Sequence, residues 1–115
     1  MNKINLTVEE RVFLWRKCKQ LGIDLEGITV YRSKDLSWKG AVACFDLKTP
    51  NYIYVCNDQP NWISLIPHIA HEFIHLNQYK DMGWRYVLSA IPGIRNFTIE
   101  PPAYAFEDKI REQLG

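Results

Sequence analysis

The spacing of apolar and polar residues divides the chain into a helical start, a strand-rich middle and a helical second half. Residues 7–22, TVEERVFLWRKCKQLG, open with Thr7 and Glu10 at capping-box spacing and close at Gly22, so they predict an amphipathic helix. One broad apolar face of this helix is expected to be buried, formed by Val8, Val12, Leu14, Trp15, Cys18 and Leu21.

Three short segments rich in β-branched and aromatic residues follow this helix. They are GITVYRS (27–33), AVACFDL (41–47) and NYIYVCN (51–57), and the intervening KDLSWKG and KTP carry residues typical of turns. The pattern predicts three strands, of which the last two form a hairpin.

The second half of the chain has helical spacing. A long helix is predicted with Ser64 as N-cap, Pro67 in its first turn and Gly83 as its end. Residues 84–97 predict a short helix up to Pro92, and residues 100–115, EPPAYAFEDKIREQLG, predict a terminal helix. The order of elements predicts the α+β class and a single domain over residues 1–115.

Composition narrows the possible partners and compartment. The chain has 115 residues, 47% of them hydrophobic, which favours one globular domain. Its net charge of +1 indicates neither nucleic acid nor a membrane as partner. The N-terminus lacks the apolar segment of a signal peptide, and no run approaches the ~20 residues of a membrane span. Three cysteines without C-x-x-C spacing suggest buried thiols, so we expect a cytoplasmic protein of undetermined oligomeric state.

All three histidines of the chain lie on the long predicted helix. His71 and His75, separated as H-E-x-x-H, put two imidazoles one turn apart, where they can bind one metal ion. With His68 and Gln78 they fall within a sector of roughly 80°, opposite the apolar residues of the helix. The alternative is that these histidines are merely solvated or hydrogen-bonded. We favour a metal site. His68 lies too far along the helix axis to bind the same ion. His68 and Gln78 are instead candidates for contacts with the metal ligands or with the substrate.

A catalytic zinc site ordinarily takes three protein ligands, so a third one is needed. Glu100 and Glu107, two turns apart on the last helix, are the candidates. Glu100 precedes two prolines and should lie at the helix N-terminus, where the helix dipole favours an ionised carboxylate. Glu107 is expected to form a solvated ion pair, which makes Glu100 the preferred ligand and Glu107 the alternative.

The segments HEFIHLNQYKDMGWRYVL and IEPPAYAFED resemble the small gluzincin-type zinc metallopeptidase domains of bacteria and phages, over about residues 62–110. The resemblance implies a minimal zincin-like fold with an N-terminal helix, a small three-stranded sheet, an active-site helix and a C-terminal helix. It also implies that His71, His75 and Glu100 bind Zn²⁺ and that Glu72 is the catalytic base. The familiar members often have a second glutamate where this chain has Pro102.

These assignments predict hydrolysis of a peptide or protein substrate by metal-activated water. Tyr104 is the candidate for stabilising the oxyanion, and the other possible donors are Tyr79, Tyr86, His68 and Arg95. By resemblance, NYIYVCN is the expected edge strand that pairs with substrate. The alternative function is a non-catalytic module of the same fold that binds a protein partner.

Overall fold

A computed structural model describes residues 2–38, 42–58, 61–89, 91, 93–95 and 97–115, with the backbone alone for residues 37 and 38. It confirms the α+β class. The elements in chain order are α1 (Val8–Gln20), β1 (Thr29–Ser33), α2 (Asp35–Trp38), β2 (Ala43–Asp46), β3 (Thr49–Cys56), α3 (Trp62–Met82), α4 (Trp84–Ser89) and α5 (Glu100–Leu114).

Helix α1 begins as predicted but buries a narrower face. The Thr7 hydroxyl accepts from the Glu10 N–H, and the Glu10 carboxylate accepts from the Thr7 N–H, which completes the capping box. Leu14 and Cys18 are buried, whereas Val8 is 73% exposed and Val12 and Trp15 are 43% and 47% exposed. The prediction of a broad buried face was wrong because α1 packs against the core along a single line of residues one turn apart.

The three predicted strands form one mixed sheet with the order β1-β3-β2. The hairpin is confirmed, since β2 and β3 pair antiparallel. The expectation that NYIYVCN is an edge strand was wrong: β1 pairs with β3 in parallel on the other side, so β3 is central and β2 ends the sheet. The turn predicted at KDLSWKG contains the single-turn helix α2 in its described part.

Helix α3 starts earlier than predicted. Its N-cap is Asn61, whose side chain accepts from the Ile63 N–H, and the Ser64 hydroxyl donates to the Asn61 carbonyl instead of capping the helix. Pro67 therefore lies beyond the first turn. The extra turn is supported by a tertiary contact, because the Trp62 indole N–H donates to the Glu10 carboxylate.

The apolar side of α3 lies against the sheet and forms the centre of the core. Its fully buried residues pack with Leu14 of α1, Ile53 and Val55 of β3 and Ile110 of α5, whereas Phe73 and Ile74 are only partly buried. The α3 residues concerned are Leu65, Ile66, Ile69, Ala70 and Leu76. This packing turns the opposite, polar side of α3 toward the first turns of α5.

The remaining predictions concern the ends of the last two predicted helices before α5, the burial of the cysteines and the presence of membrane spans. Gly83, with a positive φ of 60°, ends α3, and α4 then runs to Ser89; the predicted limit at Pro92 lies outside the described residues. Cys18 and Cys56 are buried as expected, whereas Cys44 is only partly buried. Among the described residues, we find no helix with the length and apolar character needed to cross a bilayer.

Candidate metal centre

Three potential ligand atoms from α3 and α5 meet at one point between the helices. Nε2 of His71 and Nε2 of His75 are 3.0 Å apart. Oε1 of Glu100 lies 2.5 Å from the His75 Nε2 and 3.3 Å from the His71 Nε2. All three side chains are largely or fully buried. Zn–ligand bonds of about 2.0–2.1 Å put two ligands of a tetrahedral ion roughly 3.3 Å apart. A small opening of the cluster would therefore accommodate one ion.

The contacts of Gln78 orient His75. The Gln78 amide nitrogen donates to the Ile99 carbonyl at 2.9 Å, so its oxygen is left to accept from the His75 Nδ1–H, also at 2.9 Å. With the proton on Nδ1, the neutral imidazole presents the lone pair of Nε2 to the cluster. Gln78 also ties α3 to the residue before Glu100. Contacts of this type around a metal ligand fix both its tautomer and its orientation.

Glu107 lies next to Nδ1 of His71, the ring nitrogen that faces away from the cluster. Its Oε1 lies 2.8 Å from the His71 Nδ1, and its Oε2 accepts from the Arg111 guanidinium at 2.6 Å. The His71 contact is short but not aligned as a hydrogen bond, so Nδ1 is a buried nitrogen without an aligned partner among the described residues. Glu107 is buried, 7% exposed, so the expectation of a solvated pair was wrong, although Glu107 does form an ion pair, with Arg111. A carboxylate here favours the proton on Nδ1 and leaves Nε2 free to bind a metal.

Burial and neighbouring charges set the protonation of the cluster. The pKa of His75 is lowered, first by burial, which favours the neutral imidazole. Burial alone would raise the pKa of Glu100, but its interactions with His75, Arg95 and His71 outweigh this effect, so the pKa is lowered. Both directions favour the deprotonated forms that a metal ion requires.

Glu100 is placed by the start of α5. As predicted, α5 begins at Glu100 with prolines in its first turn, so the carboxylate lies at the positive helix end. Its backbone N–H donates to the Arg95 carbonyl at 2.9 Å, and its Oε2 accepts from the Arg95 guanidinium at 3.1 Å. These bonds direct one carboxylate oxygen to Arg95 and the other to the histidines.

Glu72 lies beside the cluster without joining it. Burial raises the pKa of Glu72 to about 8, and the negative charges of Glu100 and Glu107 add to this effect, while Arg95 opposes it. A carboxyl of this kind can accept and release a proton near neutral pH.

The proposed oxyanion donors occupy different positions. The Tyr104 ring packs edge-on against His71 with 4.6 Å between centroids, and this residue is 52% exposed. Tyr86 is buried behind His75, with 6.1 Å between ring centroids, and burial, with Glu72 next, raises its pKa to about 12. Tyr79 packs against Tyr86 and Phe45.

His68 stands apart from the three ligand atoms. It is partly buried, and burial lowers its pKa while the charges of Glu107 and Arg111 act on it from α5. The group of potential metal ligands found among the described residues contains His71, His75 and Glu100 but not His68. His68 therefore lies outside the candidate metal centre.

The contact of Glu107 with His71 was missed from the sequence. One indication was present in the sequence: Glu107 lies seven residues after Glu100 and therefore on the same face of α5. Its local neighbours favoured a surface ion pair. Glu107 is buried because α5 packs against α3, and the local spacing of residues does not predict this packing.

Comparison with known proteins identifies no relative of this chain. No protein-family model matches the chain, and no curated protein and no solved structure is significantly similar to it.

Proposed function

We propose that the chain is a zinc-dependent peptidase in which His71, His75 and Glu100 bind the metal and Glu72 is the general base. The main support is that three atoms with free lone pairs face one another at 2.5–3.3 Å. With Gln78 accepting from the His75 Nδ1–H, the atoms of this cluster repel one another unless a proton or a cation lies between them. A divalent cation satisfies all three atoms at once.

Two neutral imidazoles and one carboxylate suit zinc and leave a fourth position for water or substrate. Zinc bound there would lower the pKa of water to about 7 and polarise a substrate carbonyl. Glu72 takes the proton of the attacking water and passes it to the leaving amine. Tyr104, beside His71, is the candidate hydrogen-bond donor to the developing negative charge.

The substrate is proposed to be an extended peptide that pairs with β2. This strand ends the sheet order and contacts α3, whereas the central β3 has partners on both sides. Main-chain pairing at a sheet edge binds peptides with little dependence on their side chains.

The test combines metal content with a variant of the base. Protein purified without a metal-affinity tag should contain about one zinc per chain and cleave a quenched fluorescent peptide library. Glu72→Gln should retain zinc and lose hydrolysis by about 10²–10⁴-fold. Glu112→Gln, which changes an exposed carboxylate of α5, serves as the matched control and should retain both.

Two results would contradict the proposal. One is a folded protein that fails to bind zinc at micromolar concentration. The other is undiminished hydrolysis by Glu72→Gln, which would remove Glu72 from the reaction.

A further inference from the structure

A groove, here called the α1–β1 groove, lies between the first helix and the first strand of the chain. It encloses about 480 Å³, within the range of roughly 300–1,000 Å³ that is usual for ligand-binding clefts. Its floor is apolar and consists of buried residues of the core, namely Leu6, Leu14, Leu25 and Val30. Val12 and Trp15 also line the groove but are exposed. The apolar face of α1, predicted from the sequence to be buried, is therefore covered only in part by this chain.

The edge of β1 has an open main-chain position beside this groove. Arg32 exchanges backbone hydrogen bonds with Ile4 at 3.0 and 2.8 Å, on the side of β1 away from β3. Main-chain groups of alternate residues in a strand point the same way, so the N–H and carbonyl of Val30 also point outward. The N-terminal segment pairs with β1 only at Ile4, and no backbone group in the described part of the chain bonds to this outer side of Val30.

The charge of the groove is positive. Its lining contains Arg11 and Arg16 and no acidic residue. In the described ranges, the ion pairs with carboxylates are made by other arginines, namely Arg32, Arg95 and Arg111. Glu10, next to Arg11 in the sequence, takes part in one of these pairs, and Asp24 and Glu26 line a neighbouring hollow. A carboxylate from another molecule would therefore complement the two arginines of the groove.

An extended peptide combines the groups that match these features. A residue paired with Val30 would donate its N–H to the Val30 carbonyl and accept from the Val30 N–H, as Ile4 does with Arg32. Its side chain would lie on the same face of the sheet as Val30, which is the face that packs into the core. Residues two positions to either side also face α1, where acidic side chains would approach the arginines.

We propose that the α1–β1 groove binds an extended acidic peptide of a partner protein, which adds a strand to the sheet at Val30. An apolar side chain opposite Val30 fills the floor of the groove, and carboxylates two residues away pair with Arg11 and Arg16. The proposal does not rest on peptidase activity, because β1 and β2 are the opposite ends of the sheet and the substrate is proposed to pair with β2.

The test uses the full chain and the fluorescein-labelled peptide TDTLTET, with binding followed by fluorescence polarisation. The peptide has a leucine to oppose Val30 and acidic residues two positions to either side. Its basic counterpart TKTLTKT should bind at least about tenfold more weakly, because its charges repel those of the groove. The peptide with N-methylleucine at the centre keeps every side chain but lacks the central N–H, and it should also bind about tenfold more weakly.

Variants of the protein test the same contacts from the other side. Arg11→Gln/Arg16→Gln should weaken binding of TDTLTET at least about tenfold. The control Lys48→Gln/Lys109→Gln removes the same charge at two exposed positions outside the groove and should change binding little. Circular dichroism checks that both variants fold. In the wild-type complex, hydrogen exchange of the Val30 amide should slow at least about tenfold, because that N–H becomes paired.

Four results would overturn the proposal. The first is no saturable binding of TDTLTET up to about 1 mM. The second is equal binding of the basic or the N-methylated peptide, and the third is unchanged exchange of the Val30 amide in the complex. The fourth is a different occupant: decanoate, an apolar carboxylate without peptide groups, binding in place of the peptide, or a dimer of the chain alone that Arg11→Gln/Arg16→Gln disrupts.

Discussion

Replacing Glu72 with glutamine should stabilise the metal-free protein at alkaline pH although the same change removes the proposed base. In the folded protein the pKa of Glu72 is about 8, raised first by burial. In the unfolded chain it should be about 4.3. Between these values the unfolded chain binds fewer protons than the native state, so the stability contributed by this group is complete below pH ~4.3 and is lost as the pH rises to 8. Glutamine resembles the protonated carboxyl and carries no such penalty.

The size of the effect follows from the raised pKa. One pH unit of difference corresponds to about 1.4 kcal/mol, so the full displacement would give about 5 kcal/mol. Because the side chain is partly exposed, solvent screening reduces this to about 2 kcal/mol at pH 8.5. At pH 5 the folded carboxyl is protonated whereas most unfolded chains are ionised there, so a difference of about 1 kcal/mol should remain.

The assay is urea unfolding followed by tryptophan fluorescence, in EDTA, at pH 5.0 and 8.5. The Glu72→Gln variant should gain more stability over the wild type at pH 8.5 than at pH 5.0, and Glu112→Gln should change little at either pH. With zinc bound the gain should shrink, because the cation favours the ionised carboxylate. An equal gain at both pH values, or none at pH 8.5, would refute the reasoning about a desolvated carboxyl beside Glu100.

Three further predictions concern the metal centre. Glu100→Ala should weaken zinc binding, measured by competition with a chelator, at least a hundredfold, and Glu107→Gln only about tenfold; the reverse order would make Glu107 the ligand. Gln78→Leu should weaken zinc binding about 10–100-fold, because His75 would no longer be held in the tautomer that leaves Nε2 free. Unchanged affinity would show that Gln78 does not orient His75. Tyr104→Phe keeps the ring against His71 and should lower kcat about tenfold or more at constant zinc content; unchanged kcat would exclude its hydroxyl from the reaction.

Elements governed by local rules were predicted with their types and approximate limits. The capping box of α1, the hairpin of β2 and β3 and the end of α3 at Gly83 depend on residues a few positions apart. The start of α3 was predicted too late, because the first turn is supported from afar. Trp62 donates to Glu10, and its ring stacks beneath the Arg32 guanidinium at 4.5 Å.

The strand order was the larger error. Alternation of side chains identifies a strand but does not identify its neighbours. Here β1 pairs in parallel with β3 although α2 and β2 lie between them in the chain. That pairing made β3 central and left β2 at the end of the sheet beside α3. The strand proposed to pair with substrate is therefore β2 and not β3.

Local spacing was enough to predict that His71, Glu72 and His75 lie on one helix and that the two histidines share a face, because the period of the helix sets both. Only the tertiary structure brought Glu100 to them, 29 residues after His71, and buried Glu107 behind the ring. Local hydrogen bonding sets the direction of a side chain on its helix, but contact between helices depends on how the whole core packs.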